Sequence, residues 1–91
     1  MLVCESVGVN GAEVWALPIE TDTGLRVRFA LEDWEALGLF RGQRVPVRRG
    51  GRRDEWYFVA EVVELPPVVW VVLATRLPAG AGRRRTEHPA G

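Results

Sequence analysis

Ninety-one residues make one small domain, and a chain of that length buries only about 60% of the surface its unfolded form exposes, so a barrel built from it is marginal alone. Apolar residues at 47% with four Trp exclude a disordered chain, and twelve Asp and Glu against twelve basic residues, all Arg, exclude a generic phosphate binder on whole-chain charge. The single cysteine, Cys4, excludes an internal disulfide framework and a cysteine zinc site.

The charge is unevenly spread. Residues 1–40 hold seven acids and two arginines, whereas residues 41–55 hold Arg41, Arg44, Arg48, Arg49, Arg52 and Arg53 against Asp54 and Glu55. One end of the molecule is therefore expected to be locally basic. The opening segment "MLVCESVGVNG" lacks the basic start of a secretion signal, and "LPPVVWVVLA" is too short to cross a bilayer as a helix. The expectation is a cytoplasmic protein without membrane association.

In chain order, "LVCESV" and "EVWALPIE" flank "GVNG", whose Asn10-Gly11 pair supplies the positive φ angles of a hairpin turn. In the second run Trp15, Leu17 and Ile19 share one parity and are expected to face the core, with Pro18 at an edge or strand end. Leu25, Val27 and Phe29 alternate with Arg26 and Arg28, the period-two pattern of a strand with one dry and one wet face. "ALEDWEALGL" changes period. Ala30, Trp34 and Leu37 fall on one helical face, the acids suit the positive end of the dipole, and Gly38 is placed to stop a helix over about 31–37.

A strand follows with Val45 and Val47 inward, and then Gly50-Gly51 make a loop. From Trp56 to Leu65 and from Val68 to Leu77 both parities are apolar, apart from Glu61, Glu64 and the Pro66-Pro67 turn. A one-layer barrel should be wet outside, so such strands predict a covering partner, with Val69, Trp70, Val71 and Leu73 as interface residues and a homodimer as the simplest assembly. The expected fold is mainly β, a small barrel over residues 1–77 with one short helix. Residues 78–91, "PAGAGRRRTEHPAG", read as a disordered tail.

The stretch "TDTGLRVRFALEDWEALGLFRGQRVPV" resembles the strand–helix–strand unit of cradle-loop barrels, above all the AbrB/MazE-like swapped-hairpin domains. Thr21, Gly24, Leu37, Gly38, Leu39, Gly42 and Val45 occupy the matching positions. The unit occurs once here, and the resemblance implies a swapped-hairpin barrel shared by two chains and a DNA-binding regulator of the antitoxin type. It places the DNA-contacting arginines on the strand before the helix, at Arg26 and Arg28.

For the basic stretch "RVPVRRGGRRDEWYF", Arg48, Arg49, Arg52 and Arg53 are candidate phosphate contacts on a solvated hairpin. The only His lies in the tail, Cys4 has no His held beside it, and "RRGGRR" lacks the Lys-Ser/Thr and following helix of a phosphate-binding loop, so no catalytic, metal or cofactor residue is predicted. The expected function is a non-enzymatic binding module. Duplex DNA is the first candidate partner; the alternative is a protein partner, with the chain as an accessory subunit docking through strand 68–77.

Overall fold

Asn10 and Gly11 take φ of 53° and 88°, as a two-residue hairpin turn requires, and they join β1 (Glu5–Val9) to β2 (Ala12–Thr21). That turn fixes the register Val9↔Ala12, Val7↔Val14 and Glu5↔Ala16. The remaining elements are β3 (Gly24–Ala30), α1 (Leu31–Leu37), β4 (Arg44–Arg49), β5 (Glu55–Leu65) and β6 (Val68–Ala74). In this computed structural model, which describes residues 3–76, the strands close into an antiparallel barrel in the order β1-β2-β3-β6-β5-β4. Closure comes from β1 pairing with β4, Val9 opposite Val47. The fold is mainly β with one short helix, and six strands of a single chain complete the barrel. The tail at 78–91 and the domain limit at 77 lie outside the described residues.

The interior is filled by one parity of each strand except β5. Val27, Val45, Val59, Val69 and Val71 are fully buried around Phe29, Leu25 and Leu73. Alternation on β3 and β4 therefore reads as the pattern indicates, with Arg26 and Arg28 outside. On β2 the faces are the reverse of the expected ones: Ala16 belongs to the core with Val14 packed against it, while Trp15 is 65% exposed. The cause is the register with β1. Val7 points inward, so its partner Val14 does too, and Trp15 is carried outward opposite Ser6. Pro18 is buried opposite Val27, in the part of β2 that has run past β1 and pairs only with β3.

The doubly apolar strands have a different explanation from a covering partner alone. Around Ala60 the β5–β6 register shifts, a bulge between Val59 and Glu61. Tyr57 and Val59 face inward before it and Val62 packs against the core after it, so both parities of β5 contribute to one interior. Val69, Val71 and Leu73 line that interior too, which removes them from the expected interface; of the four interface candidates only Trp70 stands on the outer face.

α1 covers one end of the barrel. Its N-cap, Ala30, offers no side-chain acceptor, and the Leu31 N–H donates to the Pro67 carbonyl at 2.9 Å instead, so the β5–β6 turn caps the helix. Gly38, with φ 68°, ends it in the left-handed conformation and its N–H reaches the Trp34 carbonyl at 3.3 Å. Trp34 is the buried side chain of α1, its ring 5.5 Å from that of Phe29.

Candidate functional site

The outer face of β2, β3, β6 and β5 is apolar where a one-layer barrel should be wet. Cross-strand register aligns Leu17, Arg28, Trp70 and Val63 in one row and Ile19, Arg26, Val72 and Glu61 in the next. A third row holds Ala30, Val68 and Leu65, with Trp15 on the same face of β2. Four strands and three rows span roughly 14 by 14 Å between backbones. Val63 and Leu65 are 44% and 55% exposed, and Ile19, Trp70 and Val72 are half-buried.

Two arginines sit within these rows. Arg28 donates through Nη2 to the Cys4 sulfur at 3.7 Å, and because Cys4 leads into β1, the side chain crosses β2 above Leu17. That accounts for an outward leucine left only 6% exposed. Arg26 leans the other way, its guanidinium 6.0 Å from the Trp70 ring centre. No carboxylate pairs with either among the described residues.

The candidate arginines of the basic hairpin are dispersed by the fold. Arg48 pairs with Glu13, which also accepts from Ser6 Oγ at 2.6 Å, and lies 3.8 Å from Asp54. The Ser6 hydroxyl and then the Arg48 guanidinium hold the Glu13 carboxyl below its usual range. Arg49 points into the barrel mouth, where it meets Glu20 at 3.0 Å and Glu5 at 3.4 Å; Arg52 lies 3.9 Å from Glu20. Glu20, Arg49 and Arg52, together with Arg53, Glu55 and Tyr57, border a small open hollow of about 30 Å³. Arg49 is thus an ion-paired plug at the end of the barrel away from α1, and only Arg53 of these four has no acidic partner among the described residues.

Tyr57 belongs to the same plug. Its hydroxyl donates to Glu55 at 3.0 Å, and burial, followed by that hydrogen bond and the Glu55 charge, pushes its pKa up to about 12. As the only tyrosine it can be followed alone at 295 nm. The folded chain is expected to ionise near 12 and the urea-unfolded chain near 10. A folded pKa above the unfolded one means that the Tyr57 contribution is complete below about pH 10 and is lost toward pH 12.

One pairing escaped the sequence pattern. Arg44 lies over Trp56, 4.4 Å from its ring centre, on the outward face of β4 and β5. Trp56 is 49% exposed, and the proximity of Arg44 to Trp56 depends on the β4–β5 register. No protein family, curated protein or solved structure matches the chain.

Proposed function

We propose that the chain is a non-enzymatic docking module that seats an apolar element of a partner protein on the outer face of β2, β3, β6 and β5. The observation that carries this reading is the placement of Arg26 and Arg28 inside apolar rows without a carboxylate of their own. Phosphate stays hydrated, and flanking Leu17, Ile19, Trp70 and Val72 offer it nothing. A partner whose apolar side chains cover these residues and whose carboxylates meet the guanidinium groups satisfies both. Arg26 and Arg28 are about 6.8 Å apart along the strand, close to the spacing of acids one helical turn apart. The six strands close on one another with only the ends of β2 and β5 running past a neighbour, and the apolar rows lie on the sheet face, so the partner docks face-on.

A second copy of the chain fits less well. It would bring four guanidinium groups into one interface, whereas the acid of these rows, Glu61, stands at the end of its row. A DNA-binding regulator of the AbrB/antitoxin type, dimeric on duplex DNA, is a second reading. It is favoured by the outward position of Arg26 and Arg28 on the strand before the helix, where the resemblance places DNA contacts.

Sedimentation of the purified chain at high micromolar concentration, with and without mixed-sequence duplex DNA, separates the three. The docking reading expects a 10.2 kDa species that ignores the duplex. A dimer abolished by Trp70→Glu would transfer the face to a second copy. A salt-sensitive complex abolished by Arg26→Ser with Arg28→Ser would establish the DNA reading in its place.

A further inference from the structure

The outward face of the β4–β5 hairpin lies apart from the docking rows and carries different chemistry. Arg44 stands opposite Phe58, and Pro46 opposite Trp56. The Arg44 guanidinium covers part of the Trp56 indole, at 4.4 Å from the ring centre, and half of that tryptophan remains exposed. Phe58 beside it is half-buried.

The charge of this segment is partitioned by the ion pairs. Among residues 41–53, Arg48, Arg49 and Arg52 are matched to Glu13, Asp54, Glu5 and Glu20. Arg41, Arg44 and Arg53 have no carboxylate partner among the described residues, so the basic excess of the hairpin rests on them. Arg41 precedes Arg44 by three residues and Arg53 precedes Trp56 by three, within about 10 Å of chain. Arg41 and Arg53 therefore flank the Arg44–Trp56 pair along the chain, one ahead of each member, and Arg53 also borders the hollow at the barrel mouth.

We propose that this face binds single-stranded nucleic acid, with a base stacking on the Trp56–Arg44 pair and the adjacent phosphates held by Arg41 and Arg53. A planar indole with a guanidinium laid on it accepts any base by its π-face, and an unpaired strand exposes such faces where a duplex hides them. An acidic peptide would find the charges but gain nothing from the indole. The site is independent of the docking reading: it uses no residue of the β2-β3-β6-β5 rows.

The test is anisotropy of a labelled oligo(dT) of about fifteen nucleotides with the full chain at about 50 mM salt. Trp56→Ala is expected to weaken binding about tenfold, with Trp56→Phe recovering most of it, and Trp15→Ala on the other face to leave it unchanged. Arg41→Ser with Arg53→Ser should keep the stacking but reduce the slope of log affinity against log salt by roughly 1.4, as loss of two single-strand phosphate contacts requires. Because both arginines are exposed, this variant reports even if Trp56→Ala does not fold. No binding at low salt, an unchanged slope, or equal displacement by polyglutamate would each overturn the proposal, the last by showing a polyanion surface only.

Discussion

Phe29→Ala is expected to cost about 3–5 kcal/mol, a large share of the roughly 5–15 kcal/mol available to a domain of this kind. Phe29 is 1% exposed, is paired with Val69 on β6, and meets Trp34 at 5.5 Å between ring centres. It is the side chain through which the barrel holds α1. Truncation leaves a cavity where strand and helix meet, and neither element can close it, because both ends of the helix are fixed: Leu31 to Pro67 and Gly38 by its own cap. Urea unfolding followed through tryptophan fluorescence should show a lower midpoint with an unchanged slope. Phe29→Leu, which refills most of the volume, should recover more than half of the loss. A cost below about 1 kcal/mol for the alanine variant would mean that this contact does not join helix to barrel.

Gly24→Ala is expected to be nearly as damaging, at about 3 kcal/mol, although it adds a single methyl group. Gly24 follows the two-residue turn after Thr21 and pairs with Ala74, so two backbones meet there. A Cβ at this position would lie 2.0 Å from the Leu73 carbonyl oxygen and 3.0 Å from the Ala74 Cα. Backbone cannot swing aside as a side-chain tip can. The β3–β6 ladder must open at its end or the β2–β3 turn must shift. Gly51→Ala makes the control, since nothing lies within 4 Å of its added carbon, and it should leave the melting temperature within a few degrees of the parent.

The elements that could be read from the sequence are those in which polar residues mark one face. On β3, Arg26 and Arg28 name the wet side and Phe29 the dry one, and in α1 the acids and Gly38 give both the face and the end. β2 carries apolar residues on both parities, so its inside is decided by a partner strand: the Asn10-Gly11 turn sets the register with β1, and that register puts Ala16 in and Trp15 out. On β5 the bulge near Ala60 exchanges the parities midway, which no fixed period can represent. The arginines show the same limit. Arg48 and Arg49 look alike in sequence, yet their neutralising acids, Glu13 and Glu20, stand 35 and 29 residues away and reach them only through barrel closure.

The outer face of β2, β3, β6 and β5 is tested most directly by photo-crosslinking in the source cells. A photoreactive phenylalanine analogue would replace Trp15 or Val63 on that face, with Glu35 on the exposed side of α1 as the control. The account predicts one discrete adduct with a different protein from positions 15 and 63 and none from 35. It further predicts that Arg26→Glu with Arg28→Glu abolishes the adduct while the unfolding midpoint is kept, because both arginines lie on the outer surface. Adducts of equal yield from all three positions, a product containing only two copies of the 10.2 kDa chain, or an adduct indifferent to the charge reversal would contradict it.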